Sequence, residues 1–431
     1  MKEPTRDELL AQIDEMLASL IDAELIEALD EPDPDGRPYR PNPKLQDRFS
    51  LDRPLSPFVV DMLSAIADAE RDATEANEAT EATDTEAGAP AESDPQAAPA
   101  ARASSPYGIA LDMVSVVEAS LEDPSAVLQG QRRVLRDEEW ARLTAEGVEF
   151  SERQNRIAEV DWPRPLRDEV VAAWRIHLDA NPWLAGEWVR PKSIARDMFE
   201  QGETITGYVH RYGLRRSEGV LVRYLADVYR ALERNVPDHL RTPELAEIGD
   251  SLAAVVRSVD SSLLAEWERL ERIARGEEVD EIGPEDAAID GVVDITRNRR
   301  EFRALVRSEL FRWVQAAARR QLGAAVAELP QVDAHGEALR RGVDEIDGSL
   351  HDFWSEHAWI GIDPAARAAT WFIFDEPPVS AGPATGRHAV TQILVDPADS
   401  GEWRLHGLVD IDASRDEGVL VIAFAGVERL S

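Results

Sequence analysis

The chain of 431 residues contains no cysteine and only three lysines, Lys2, Lys44 and Lys192. Without cysteine there is no disulfide, no thiolate nucleophile and no zinc or iron–sulfur site built on thiolates. No apolar run approaches the roughly eighteen residues that would span a membrane. The first residues are charged, unlike the apolar centre of a signal peptide. We therefore expect a cytoplasmic protein with no membrane segment.

Basic residues are few relative to acidic ones, 47 against 84, so the formal net charge is −37. An excess of this size repels phosphate backbones if it is spread evenly, because nucleic-acid binding rests on Lys and Arg. Residues 69–105 contain nine acidic residues against two basic ones, and they include no aromatic residue and no large aliphatic one. We expect 69–105 to be a disordered acidic insert, because it cannot bury enough apolar area to offset the entropy of ordering.

Hydrophobic periodicity indicates mainly helical structure up to about residue 275. Residues 5–27 begin with a Thr-x-x-Glu capping box and have apolar side chains at helical spacing. A turn-rich connection and extended pieces follow, so we predict a partial winged-helix segment at 1–58. Residues 59–68 and 106–275 have the pattern of a helical bundle. The acidic stretch 276–296 contains Gly and Pro and is predicted to be a linker.

The remaining residues, 297–431, are predicted to form an α+β domain. A long helix from Asn298 to about Leu329 precedes four segments rich in β-branched and aromatic residues. These predicted strands lie at 370–374, 388–395, 403–411 and 419–424, with turn signals between them. The expected fold class is multi-domain, mainly α followed by α+β with an antiparallel sheet.

The motifs of ATP hydrolysis are missing. The nearest approach to a phosphate loop is at residues 202–207, where Tyr208 and Val209 stand in place of the required Lys and Ser or Thr. His351 and His357 are six positions apart, which on a helix places them on different faces, so we expect no metal site there. We expect no cofactor.

One pair of side chains, His406 and Asp410, could support general-base chemistry in the last domain. Alternation along a strand places both residues, and Asp412, on one face of the predicted sheet. The more ordinary interpretation is a solvated outer face, which antiparallel sheets commonly have. A small-molecule-binding or hydrolase-type function of the C-terminal part therefore stays open as an alternative.

Two arginine-rich segments are candidates for nucleic-acid binding. Residues 297–320 contain eight arginines against two glutamates, and the apolar positions of the predicted helix would turn Arg299, Arg303 and Arg307 outward. The alternative is that these arginines pair with the protein's own carboxylates. Residues 208–234 place Arg223 and Arg230 on one face with Asp227, where a salt-bridge ladder is the competing interpretation.

The second segment carries a resemblance to a known family. Exosome-associated DExH-box RNA helicases of superfamily two have a helix beginning Glu-Gly-x-Ile-[IV]-Arg behind the motor, and residues 218–223 read Glu-Gly-Val-Leu-Val-Arg. The chain resembles more closely the C-terminal region, a domain of unknown function, of actinobacterial DEAD/DEAH-box helicases. Blocks in family order carry this likeness, among them Leu-Ser-Pro-Phe at 55–58, Trp-Pro-Arg-Pro-Leu at 162–166, Arg-Pro-Lys-Ser at 190–193 and Phe-Arg-Ala-Leu-Val-Arg at 302–307.

This resemblance implies a partial winged helix, a ratchet-like helical bundle beneath the nucleic acid, and a C-terminal domain similar to the cone-shaped nuclear-transport-factor-like fold. It also implies an accessory region that binds single-stranded RNA and docks onto a separately encoded helicase motor, without ATPase activity of its own. A truncated helicase without a separate role is the alternative.

The resemblance also indicates which residues would contact RNA. Relatives usually have two more basic residues after the matched arginine, where this chain has Ala226 and Asp227. Arg223 and Arg230 are therefore the candidates that remain on this helix. Lys192, in the matching block at 190–193, is a further candidate.

Overall fold

The structure, a computed structural model, is mainly helical and ends in a four-stranded antiparallel sheet. It describes residues 6–22, 26–33, 36–42, 53–81, 106–259, 262–274, 288–289, 292–333, 335–375, 385–398 and 400–430. The mainly α and then α+β class expected from the sequence is confirmed at this level. The winged-helix, ratchet and cone-shaped folds stay predictions.

The chain forms two compact units. As far as its residues are described, unit 1 consists of Met1–Thr85, Ile109–Arg196 and Tyr212–Leu245, and unit 2 of Glu86–Gly108, Asp197–Arg211 and Ala246–Ser431. This division differs from the one expected from the sequence, which ends the helical bundle near residue 275. The described residues within 197–211 and 246–274, most of them helical, belong instead to the unit that contains the sheet.

Unit 1 begins with a helix and a small hairpin. Helix α1 (Arg6–Asp22) precedes the antiparallel strands β1 (Ile26–Ala28) and β2 (Tyr39–Pro41). The helix is shorter than predicted, because Ile26 and Glu27 pair with β2 instead of continuing it.

Helices make up most of the described residues from Ser56 to Ala274. They are α2 (Ser56–Glu81), α3 (Pro106–Ser120), α4 (Ser125–Ala145), α5 (Phe150–Glu159), α6 (Arg167–Ala180), α7 (Ala195–Glu200), α8 (Ile205–Tyr212), α9 (Glu218–Asn235), α10 (Pro243–Arg257) and α11 (Ser262–Ala274). Helix α2 extends into the predicted disordered insert, since residues 69–81 are helical. These residues are rich in Ala and Glu, which have high helix propensity. Residues 82–105 lie outside the described part.

The core of unit 1 follows from apolar faces. Helix α9 buries Leu221, Leu225, Val228 and Leu232, which recur at the helical spacing seen in the sequence. Helix α3 is apolar nearly all round, and its residues from Ile109 onwards are almost entirely buried. A helix with no polar face belongs in the interior of a unit.

Unit 2 contains the sheet and the helices around it. Its remaining elements are β3 (Ala288–Ile289), β4 (Val292–Val293), α12 (Arg299–Ala318), α13 (Leu322–Val326), α14 (Val343–Gly348), α15 (His351–Glu356), β5 (Phe372–Phe374), β6 (Arg387–Ile393), β7 (Trp403–Asp410), α16 (Ile411–Glu417) and β8 (Ile422–Arg429). Strands β5 to β8 are neighbours in sequence order and all antiparallel. The predicted antiparallel sheet is therefore confirmed, although β8 begins later than expected.

The long helix predicted from Asn298 to Leu329 is interrupted. Helix α12 ends at Ala318, and Arg320 has a φ of 58°, a left-handed conformation that no α-helix continues through. The apolar face of α12 packs on the sheet, where the Trp313 ring meets Phe424 edge to face at 5.6 Å. A Cβ at Gly407 would lie 3.2 Å from Trp313, so a glycine lets this strand approach the indole closely.

Candidate nucleic-acid interface

Helix α9 places one of its two candidate arginines in solvent. Arg223 is exposed. Arg230 is half-buried and lies 3.2 Å from the Asp227 carboxylate, which is also 4.0 Å from Arg53. Ala226 is fully buried, so a basic side chain at that position would point into the core. Helix α9 therefore offers Arg223 for a phosphate contact, with Arg230 engaged in an ion pair beside it.

Lys192 is held in the interior of unit 1. Its Nζ donates hydrogen bonds to the carbonyl oxygens of Leu121 (2.7 Å) and Arg190 (2.9 Å) and lies 3.1 Å from Asp123. Burial lowers the pKa of this ammonium group. An ammonium group has three donors, and here all three have partners. This geometry removes Lys192 from the candidates for RNA contact and gives it the role of fixing the segment before α7.

The arginines of α12 do not all face outward as expected. Arg307 is buried and forms an ion pair with Glu247, which also accepts a hydrogen bond of 2.5 Å from the Tyr107 hydroxyl. Arg303 and Arg307 both lie over the Phe372 ring, at 5.2 and 4.9 Å from its centroid. For Arg307 the alternative interpretation, pairing with a carboxylate of the same chain, is the correct one.

Arg299, the third candidate on this helix, is half-buried, as Arg303 is. Because Arg307 is buried and Arg299 and Arg303 are half-buried, α12 presents less basic surface than the sequence indicates. This leaves unit 2 a weaker candidate for RNA contact than the sequence indicates.

His406 and Asp410 share one face of β7, as predicted, but each has other partners. The His406 ring nitrogens lie 2.9 Å from the Thr391 hydroxyl and 3.1 Å from Glu428. Asp410 caps the first turn of α16 and accepts a hydrogen bond of 2.9 Å from Arg387. Burial lowers the pKa of His406. The arrangement is that of a polar outer sheet face rather than of a His–Asp dyad.

Asp412, expected on the same strand, lies instead in α16, because β7 ends at Asp410. There its carboxylate accepts a hydrogen bond of 2.7 Å from the backbone N–H of Gly386. Asp412 therefore holds the start of β6 in place.

A basic recess in unit 1 has no counterpart among the sequence-derived candidates. It has a volume of about 450 Å³ and is lined by Gln129, Arg132, Arg133, Arg136, Asp137, Trp140 and Ile157. We call it the arginine recess. All but Ile157 come from one face of α4, at the three- and four-residue steps that a helix requires. That spacing, with an aromatic residue ending the stripe, is the signal that could have revealed it.

Each of the three arginines of the recess contacts an oxygen atom of a neighbouring residue. Arg133 donates to the Tyr212 carbonyl at 2.7 Å and Arg136 to the Val160 carbonyl at 3.1 Å, while Arg132 lies 3.8 Å from Asp161. A guanidinium group has five N–H donors, so these contacts use only part of its capacity. The recess therefore contains oriented cations that retain donors for a planar or tetrahedral anion.

The recess adjoins the turn that leads into α9. Gly213 has a φ of 65°, and a Cβ there would lie 2.5 Å from Arg133 Nη2, so the turn needs glycine both for its conformation and for space. Arg215 and Arg216 follow at once and are exposed. Arg215 and Arg216 therefore follow directly on the turn that Arg133 contacts, before α9 begins at Glu218.

Neither a membrane-spanning segment nor a metal site emerges from the described ranges. None of the helices there combines the length and the apolarity needed to cross a bilayer. Among the same residues, no three His, Asp or Glu side chains are placed to hold a metal ion.

Comparison with curated proteins and with solved structures gave no match. A comparison with protein families matched residues 2–427 to the family described as Domain of unknown function (DUF3516). The matched range takes in nearly all of both units, the arginine recess and the terminal sheet included. The chain therefore belongs to the DUF3516 family.

Proposed function

We propose that this chain is a helicase-associated accessory region that binds single-stranded RNA through unit 1 and has no ATPase activity of its own. The observation that carries the proposal is the arginine recess, where Arg132, Arg133 and Arg136 line one volume of about 450 Å³. The chain as a whole has a net charge of −37, so this local concentration of cations runs against its composition. Clustered guanidinium groups match the geometry of phosphate.

The segment that follows the Arg133 contact supplies further exposed cations. Arg133 is tied to Tyr212, after which come the exposed Arg215 and Arg216 and then Arg223 on α9. A strand that entered the recess would meet these side chains as it followed the turn into α9. Each phosphate contact releases counterions and adds to the affinity.

Binding through so few arginines should be weak, because the acidic remainder of the chain repels the backbone. Weak and sequence-independent contact suits an accessory region that holds RNA while a separately encoded motor moves it. The motor-docking part of the proposal rests on the family resemblance and on the absence of a phosphate loop from the sequence, where Tyr208 and Val209 replace its Lys and Ser or Thr.

The RNA part is tested by fluorescence anisotropy with an unstructured, labelled single-stranded RNA over a series of salt concentrations. The wild-type chain should bind at low salt, with log K falling linearly against log salt. Arg132→Gln combined with Arg136→Gln should weaken binding about tenfold or more and make the salt slope shallower by about 1 to 2.

The matched control is Arg167→Gln combined with Arg175→Gln, which removes the same charge from exposed positions on α6. It should change affinity by less than about threefold, since these arginines do not line the recess. Absence of binding at low salt, or equal weakening by the two double variants, would contradict the proposal. Thermal unfolding of each variant shows whether it is folded.

The ATPase part is tested with the full chain, Mg²⁺ and ATP, with and without the same RNA. We expect no phosphate release above a buffer blank, because the sequence has no loop in which a Lys and a Ser or Thr hold the phosphates and Mg²⁺ as in helicase motors. Turnover that rises in proportion to the concentration of the purified chain, and that survives repeated purification, would overturn this part.

A further inference from the structure

We propose that Trp140 is a base-stacking position, so that the arginine recess binds one unpaired nucleotide with its phosphate on the arginines and its base on the indole. This inference rests on the proposed function and adds to it the preference for single strands. It also distinguishes the recess from a simple anion site, because it assigns part of the affinity to a contact that salt does not screen.

Exposure of large aromatic side chains at the recess is the first observation. Trp140 lines the recess and is 36% exposed, and its neighbour Phe150 is 55% exposed. The exposed parts of these two neighbouring rings form an aromatic surface beside the recess that a ligand could cover. An unstacked nucleobase is a flat, partly apolar group that covers such a ring well.

The indole is held in a fixed orientation, which is the second observation. Phe150 meets it edge to face, with ring centroids 5.9 Å apart at 86°. The Arg153 guanidinium lies over one face of the Trp140 ring, 4.9 Å from its centroid, and donates a hydrogen bond of 2.6 Å to the Thr144 hydroxyl, so a base would stack on the opposite face. Thr144 in turn donates to the Trp140 carbonyl at 2.7 Å. A ring held in this way loses little conformational entropy when a base stacks on it.

The spacing along α4 is the third observation. Arg132, Arg136 and Trp140 follow one another at steps of four residues, each step advancing about 6 Å along the helix axis. A nucleotide whose phosphate sits on Arg136 can therefore reach Trp140 with its own base. Ile157, from α5, provides an apolar wall at the same recess.

These features together indicate how the site selects its ligand. In a duplex the faces of the bases are covered by their neighbours, so stacking on Trp140 is open only to single strands, loops and ends. Every base has a π-face, so the contact should tolerate any sequence.

The test measures RNA affinity by anisotropy for the wild-type full chain, Trp140→Ala and Trp140→Phe, with an intact single strand and with the same strand carrying abasic sites. Trp140→Ala should weaken binding of the intact strand about fivefold or more while leaving the salt slope unchanged. Trp140→Phe should retain most of the affinity, because it keeps a ring. Trp188→Ala, an exposed tryptophan of unit 1 that does not line the recess, should have no effect.

The abasic strand separates stacking from a structural effect of the substitution. The wild-type chain should bind the abasic strand about as weakly as Trp140→Ala binds the intact strand. Trp140→Ala should bind the abasic strand no more weakly than the wild-type chain does, because the two changes remove the same contact. If the wild-type chain binds intact and abasic strands equally, the stacking position is overturned while RNA binding stands. If it binds neither at low salt, the proposed function fails and this inference with it. If Trp140→Ala does not fold, the affinity of Trp140→Phe and the comparison of intact and abasic strands with the wild-type chain still test whether a base stacks on Trp140.

Discussion

Glu118 is a carboxylate fully enclosed in unit 1 on the largely apolar helix α3. It accepts hydrogen bonds from the backbone N–H groups of Ile194 (2.9 Å), Ala195 (3.0 Å) and Arg196 (3.3 Å) and from the Tyr224 hydroxyl (3.0 Å). The three N–H groups belong to the start of α7, which has no partners within the helix for them. Glu118 thus caps α7 from another helix, while burial raises the pKa of its carboxyl.

Glu118→Ala should lower the free energy of unfolding by about 3 kcal/mol or more, because it leaves several buried donors without an acceptor. Chemical denaturation measures the loss. Glu122→Ala, an exposed glutamate four positions later, is the matched control and should stay within about 0.5 kcal/mol of wild type. A loss under about 1 kcal/mol for Glu118→Ala would mean that water replaces the carboxylate at these donors.

Glu301, in unit 2, is a buried carboxyl near two further acidic side chains. Burial raises its pKa to about 7, Arg257 acts in the opposite direction from 2.8 Å, and Glu268 and Asp250 raise the pKa further. Below about pH 4.5, the usual pKa of the group, the carboxyl is protonated in the folded and the unfolded chain alike. Between that pH and about 7 only the unfolded chain releases the proton, so the free energy of unfolding falls as the pH rises.

Glu301→Gln imitates the protonated carboxyl and should therefore be more stable than wild type at pH 8, by about 1 to 3 kcal/mol. The difference should vanish near pH 5, where wild type holds the proton itself. Denaturant unfolding over this pH range measures the difference in free energy of unfolding. Glu266→Gln, at an exposed position, is the control and should differ from wild type by an amount that does not change with pH. A Glu301→Gln variant less stable than wild type at pH 8 would show that the ion pair with Arg257 outweighs burial.

Lys192 and Arg307 show why the burial of a single charged residue could not be predicted from the sequence. Charged side chains are mostly exposed, so a local pattern predicts a surface cation at both positions. Their acidic partners, Asp123 and Glu247, lie far away along the chain and are brought close only by folding. Arg223, whose surroundings on α9 follow from helical periodicity alone, is exposed as that periodicity indicates.

The sheet strands and the bundle helices could be predicted because the spacing of apolar residues within each element indicates its type. Alternation over β7 puts Trp403, Leu405 and Val409 inside, as the sequence shows. The end of α12 could not be predicted, because Arg320 adopts a left-handed conformation that only glycine adopts without cost. In the arginine recess, the stripe along α4 is visible as helical spacing, whereas the wall that Ile157 of α5 adds depends on contact between two elements, which periodicity does not describe.

The contact between α13 and α14 depends on a glycine. A Cβ at Gly323 would lie 2.3 Å from the Val343 carbonyl oxygen, a backbone atom that can move only if α14 moves. Gly323→Ala should therefore lower the free energy of unfolding by about 1 to 3 kcal/mol. Gly348→Ala, in α14 with no atom within 4 Å of its Cβ position, should be neutral or stabilising because alanine favours helix. Equal unfolding midpoints for the two variants would contradict the close approach.

At the scale of the whole chain, the two units combine segments that are separated in sequence. Unit 2 takes in Asp197–Arg211, which lies between two segments of unit 1. Composition and linker signals divide a chain at places along its length, so they cannot assign such a segment to a distant unit. The boundary expected near residue 275 marks a change in composition and stays a prediction, whereas the compact units are defined by contacts between segments.

The net charge of −37 should make salt act in opposite directions on folding and on RNA binding. Raising ionic strength from 0.01 to 0.15 M shortens the Debye length from about 30 to about 8 Å, which screens the repulsion among acidic side chains in the folded chain. Tm should therefore rise by a few degrees while RNA affinity falls, both measured in the same buffers. Potassium glutamate and sodium chloride at equal ionic strength should raise Tm alike, since screening depends on ionic strength. A Tm that falls with salt would show that ion pairs, such as Arg429 with Glu356 and Glu402, outweigh the repulsion.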